Sequence, residues 1–205
     1  MRPTYVLIAL LCTSMGLAHA AQTPASSATQ KAEVLEEKAA SDPLAKPAPP
    51  SQAITPAEAQ AVDPAGQAPL DDALTCMARS IYWEAKGGSR QDMEDVASVV
   101  MNRLGQPDFP DTVCGVVKQG SEKAGCQFSW WCDGKPDQVQ EDDRYTLAKD
   151  VARKALNRQL ADRTHGAQFF HDHSVAPAIF KNMVRTERTA RFVFYRPRDE
   201  QAQVK

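Results

Sequence analysis

One acid, Glu84, stands in "RSIYWEAKGGS" (79–89) between an aromatic pair and a Lys-Gly-Gly break. Breaking an acetal such as a glycosidic bond needs a carboxylic acid that keeps its proton near neutral pH and gives it to the leaving oxygen. An apolar, aromatic setting favours that state because it disfavours the carboxylate. A second cluster, "CQFSWWCDG" (126–134), reads as a short strand or hairpin with Gln127, Ser129 and Trp131 on one face and Phe128 and Trp130 turned to the core. Trp131 could stack on a sugar ring while Gln127 and Ser129 bond its hydroxyl or acetamido groups, and Asp133 is available as a second carboxylate. A third group is His165, His171, Asp172 and His173; His171 and His173 share a strand face and could hold a metal with a third ligand. No G-x-S-x-G elbow is present.

These residues need a scaffold, and the sequence marks one from Asp71 onward. Leu74, Met77, Ala78, Ile81, Tyr82 and Ala85 repeat at i, i+3, i+4, i+7, i+8 and i+11, one stripe of a helix at about 100° per residue. Glu84 falls at the edge of that stripe, beside Met77 and Ile81, while Cys76 and Trp83 point nearly the opposite way. A bridge from Cys76 therefore implies a helix covered on both sides. Gly87 and Gly88 end it, and Ser89 with Asp92 forms a capping box for the next helix, which carries Met93, Val96, Ala97, Val100 and Leu104. "FPDTVCGVVKQG" reads as a loop and short helix, and "DDRYTLAKDVARKALNRQL" as a third amphipathic helix with acids at its start. "GAQFFHDH" and "RFVFYRP" read as short strands. The expected class is α+β, predominantly helical.

Compartment is read from the first residues. Arg2, the apolar run "YVLIALLCTSMGLA" and Ala18-His19-Ala20 describe a secretory leader over 1–20, too short and poorly flanked for a membrane anchor. Residues 21–70 are rich in Ala, Pro, Gln and Ser without aromatics, the composition of a disordered tether. The folded part is then 71–198, followed by a tail over 199–205. Lys and Arg number 24 against 26 Asp and Glu, so overall charge gives no reason to expect nucleic acid as a partner.

Without Cys12 the mature chain keeps Cys76, Cys114, Cys126 and Cys132, which in an exported protein read as two disulfides with three possible pairings. The short Cys114–Cys126 loop favours that bridge, leaving Cys76 with Cys132.

Taken in order, "MARSIYWEAKGG", "VASVVMNRLGQPDFPDTVCGVVKQG", "CQFSWWCDG" and the closing "FYRP" resemble the SleB-like cell-wall hydrolase family, which includes spore-cortex lytic enzymes, over about residues 76–197. The resemblance implies a lysozyme-like, lytic-transglycosylase-related fold acting on peptidoglycan glycan strands in the periplasm or cell wall, with no cofactor. It implies that the acid of the family's Y-x-E-A-R-G-E motif is Glu84, and that Gln127, Ser129, His171 and Tyr195 line the groove. Four positions depart from the pattern: Lys86 replaces an Arg, Gly88 a second Glu, Phe192 a His and Gln168 a Thr. With that second Glu missing, the expectation is cleavage of the MurNAc–GlcNAc bond by one carboxylate, as a lytic transglycosylase. The alternatives are a glycan-binding module of the same fold and a metal-dependent amidase using His171 and His173.

Overall fold

The structure is a computed structural model that describes residues 22–121 and 125–198. The expected leader (1–20) and tail (199–205) lie outside the described residues. Order begins well before Asp71. Helix α1 (Pro24–Ser41) starts at Thr23, whose hydroxyl accepts from the Ser26 amide, with Pro24 in the first turn. Helix α2 (Pro56–Ala61) starts with a complete capping box between Thr55 and Glu58. Ala28, Ala32, Leu35 and Ala39 of α1 and Ala59 of α2 are all buried in the common core.

The disordered tether expected over 21–70 is thus corrected. An alanine stripe adds little apolar area per residue, but it lets α1 approach its neighbours closely. Polar locks complete the docking. Glu58 joins the two helices by accepting from Lys31 (2.8 Å) and Ser27 (2.7 Å). Burial pushes its carboxyl up, yet Lys31, Thr55 and Ser27 outweigh burial and hold it down at about 2. The side chain of Asn157 pairs with the Ile54 backbone, accepting from its amide and donating to its carbonyl, each at 2.9 Å.

Helix α3 (Ala73–Glu84) runs through the centre, with every residue from Ala73 to Tyr82 buried. It packs most extensively on α6 (Asp142–Leu156), and also on α4 (Arg90–Arg103) and α5 (Val113–Lys118). The predicted Ser89–Asp92 capping box is present at the start of α4. An antiparallel sheet in the order β1-β3-β2 closes one side, from β1 (Phe169–Asp172), β2 (Val184–Arg188) and β3 (Phe192–Arg196). β1 and β3 are the two strands read from the sequence; β2, with a register break between Arg185 and Glu187, was not.

Two further expectations are corrected. The bridges are Cys76–Cys114 and Cys126–Cys132. Packing of α5 on α3 brings the Cα atoms of Cys76 and Cys114 to 5.2 Å, which leaves Cys126 for Cys132. The stretch "SWWC" is a 3-10 helix, Ser129–Cys132, rather than a strand; a bridge across only six residues suits that tight turn.

On the far side of α3 a buried ion pair ties the N-terminal segment to the domain. Asp63 accepts from Tyr145 (2.6 Å), from the amides of Gln67 and Ala68, and from Arg79 (3.4 Å). Both partners are almost wholly buried. Replacing Asp63 by Ala should therefore cost about 3–5 kcal/mol, since it strands a buried guanidinium and a buried phenol. Urea unfolding tests this; a tether would give no change.

Candidate active site

Glu84 is the last residue of α3. The chain then turns through Ala85, Lys86 and Gly87, where Gly87 has φ +78°, before α4 begins. Burial is the largest influence on the Glu84 carboxyl and raises it to about 7. Arg103, the Ser129 amide and Arg191 all oppose that rise without cancelling it. The side chain is only half-buried as a whole, but Oε1 is out of solvent with no hydrogen-bond partner among the described residues. Its place at a helix C-terminus, the negative end of the dipole, works in the same direction.

Arg103 is the charge behind this acid. It ends α4, is 2% exposed, and lies against Phe109, Phe128 and Phe169 with its guanidinium carbon 4.9–5.3 Å from the ring centres. Its Nε donates to the Gln168 carbonyl at 2.6 Å, and Nη1 has no hydrogen-bond partner among the described residues. Burial pulls Arg103 down to about 10, against the attraction of Glu84. Burial thus governs both groups; Arg103 stays charged at neutral pH while Glu84 holds its proton about half the time. The sequence carried a signal for Arg103, which sits seven residues after Val96 and three after Val100, on the apolar face of α4.

Glu84 opens into a cleft of about 440 Å³ whose walls include Trp83, Lys86, Ser129, Trp130, Asp133 and Asp137. Lys86 Nζ lies 4.5 Å from the Trp83 ring centre and donates to Gln140 at 3.0 Å. The Trp83 indole and Arg79 both donate to the Asp137 carbonyl, fixing the opposite wall. Asp133 accepts from the Lys135 amide and pairs with its ammonium at 3.2 Å, which holds its carboxyl below the usual range. Asp137 is raised by burial and by the charge of Asp133, against Arg79.

Of the residues singled out from the sequence, Glu84, Ser129 and Asp133 meet at this cleft. Gln127 is exposed and does not line it. Trp131 packs edge-on to Trp130 and under Lys118. Trp130, assigned to the core by strand alternation, is buried yet forms part of the wall, because the 3-10 turn breaks that alternation. His171 and Tyr195 stand on the outer face of the sheet in a separate depression. The space of the second Glu expected at 88 is filled: a Cβ on Gly88 would lie 2.8 Å from Asp92 Oδ2 and 2.9 Å from Arg191 Nη1. Arg191 Nη1 instead donates to the Lys86 carbonyl at 2.7 Å.

The structure is thus a mainly helical domain with a half-buried carboxyl in a cleft walled by two tryptophans. Residues 87–195 match the family described as Cell Wall Hydrolase, and the chain belongs to that family. The match spans α4 to β3 and begins just after Glu84. The spore cortex-lytic enzyme of Halalkalibacterium halodurans is 43% identical over 54 residues, 26% of this chain and 16% of that protein, so the chain spans a small part of that relative's length. The catalytic domain of Bacillus cereus SleB aligns at 22% identity with a TM-score of 0.49, covering 60% of this chain and 88% of that one. The catalytic domain of the germination-specific lytic transglycosylase SleB of Bacillus anthracis gives 22% and 0.48, covering 64% and 98%.

The raised Glu84 carboxyl has a consequence for stability. Its folded value of about 7 lies above the ordinary 4.5, so the unfolded chain releases this proton first as pH rises. Glu84 therefore costs nothing below pH 4.5 and destabilises increasingly up to about pH 7. Glu84→Gln should raise stability by about 2–3 kcal/mol at pH 8 and by little at pH 4, measured by denaturant unfolding.

Proposed function

We propose that this protein is an exported enzyme that cleaves the MurNAc–GlcNAc backbone of peptidoglycan, with Glu84 as its acid and base. The observation that carries the reading is the Glu84 carboxyl, raised to about 7 at the floor of the tryptophan-walled cleft. A group poised there has both protonation states available near neutral pH.

In this mechanism Glu84 gives its proton to the bridging oxygen as the C1–O bond breaks, leaving positive charge on C1 and the ring oxygen. The resulting carboxylate then takes the proton of the muramic acid 6-hydroxyl while that oxygen bonds to C1. The product is a 1,6-anhydro sugar, and Glu84 ends protonated as it began. One carboxylate suffices, in keeping with Gly88 and with Arg191 in the space around it. The Ser129 amide steadies the carboxylate form of Glu84, and Trp83 and Trp130 offer ring surface to sugars. Family membership supports peptidoglycan as substrate, and the basic, apolar start of the chain supports export.

A second reading rests on Asp133, which lines the same cleft and stays ionised. As a base it would activate water, giving hydrolysis with reducing ends. Mass spectrometry of digested peptidoglycan separates the two: anhydro-muropeptides are expected, and reducing-end products alone would transfer the role to Asp133. Glu84→Gln should lower the rate by at least about 100-fold, the scale of general acid catalysis. If wild type and variant bind peptidoglycan but cleave it equally poorly, the protein is a binding module.

The pH profile follows from the same group. Protonated Glu84 is consumed in the first step, so kcat/KM should fall above about pH 7. An alkaline limb that persists unchanged in Glu84→Asp would assign that limb to another residue.

A further inference from the structure

The outer face of the sheet carries a second depression, of about 290 Å³. Its floor is an aromatic stack in which the ring centre of Tyr195 lies 5.4 Å from His171 and 4.8 Å from Phe180. The Asp172 carbonyl, 2.8 Å from His171 Nδ1, can only accept, so Nδ1 carries a hydrogen; Nε2 faces the Tyr195 hydroxyl at 3.1 Å. These contacts hold the stack rigid. Val175, Ala176 and Pro177 add apolar surface at its edge.

Three cations, Lys181, Arg185 and Arg188, line the same depression, and no carboxylate does. Among the described residues none of the three forms an ion pair, whereas Arg90, Arg153 and Arg163 elsewhere are all matched to acids. Like charges lining one depression repel one another, and an anion bound among them relieves that repulsion. The depression shares no lining residue with the Glu84 cleft but lies close to it through two bonds. The His173 amide donates to the Arg191 carbonyl at 2.7 Å, and Arg191 Nη1 donates to the carbonyl of Lys86, a residue of that cleft.

We propose that this depression binds the carboxylate-bearing peptide stem of peptidoglycan while the sugar backbone occupies the Glu84 cleft. The inference rests on the functional reading above. A short peptide with alanine methyls and free carboxylates matches an aromatic floor ringed by two guanidinium forks and an ammonium. A bare phosphate polymer would use the cations but leave the stack and Val175 without a partner.

The test is titration of a sugar-free tetrapeptide stem, L-Ala–D-Glu–diamino acid–D-Ala, into the protein by calorimetry, with no catalysis involved. Wild type and Glu84→Gln should bind it alike. Arg185→Gln with Arg188→Gln should weaken binding about tenfold, as should amidation of the peptide carboxylates, while Arg185→Lys with Arg188→Lys retains most of it. Absence of binding, equal binding by the Gln double variant, or tighter binding of inorganic phosphate than of peptide would overturn the proposal. Failure of the backbone-cleavage reading shows up separately, as missing sugar products from wild type that still binds the stem.

Discussion

Holding one oxygen of Glu84 out of water, without a hydrogen-bond partner, is unfavourable for a carboxylate, and much of the domain is arranged to maintain it. The helix that ends at Glu84 is buried along nearly its whole length, so the carboxyl cannot escape by local fraying. Arg103 supplies a compensating charge from among phenylalanine rings, with its Nε committed to the Gln168 carbonyl, and among the described residues it makes no direct hydrogen bond to Glu84. A bonded Arg–Glu pair would hold the carboxyl ionised and remove its use as an acid. The arrangement keeps the charge near and the bond unmade.

The wall facing Glu84 has little secondary structure of its own between the 3-10 turn and α6. It is held by contacts from α3 and from the N-terminal segment. Arg79 reaches from Asp63 to the Gly66 and Asp137 carbonyls, Trp83 donates to Asp137, and the Gln140 amide donates to the Tyr82 hydroxyl at 3.2 Å. Val139 in turn donates to the Gly66 carbonyl at 3.1 Å. The segment before Asp71 thus belongs to the scaffold of the cleft.

Particular residues decide how much of this was legible beforehand. The stripes of α3, α4 and α6 and the Ser89–Asp92 box are local signals, and each produced the element it predicts. The N-terminal helices have a pattern that their composition masks. Ala28, Ala32, Leu35 and Ala39 repeat at i, i+4, i+7 and i+11, and "TPAE" (55–58) is a capping box, yet the stretch lacks the large apolar residues that announce a core. The bridges depended on how α5 packs on α3, a non-local fact that loop length does not reveal. Phe128 was expected in the core and is there, but the 3-10 turn after it moved Trp130 to the cleft and Trp131 away. A charge on an apolar stripe, as at Arg103 on α4, reads as an interruption of that stripe.

Desolvation brings the titration of the Glu84 carboxyl near neutrality. Carbon-13 NMR of the Glu side-chain carboxyls across pH, with Glu84→Gln to assign the resonance, measures this directly. A midpoint near 7 is expected for Glu84. A midpoint near 4.5 would mean a solvated carboxylate, and the acid would have to be sought elsewhere in the cleft.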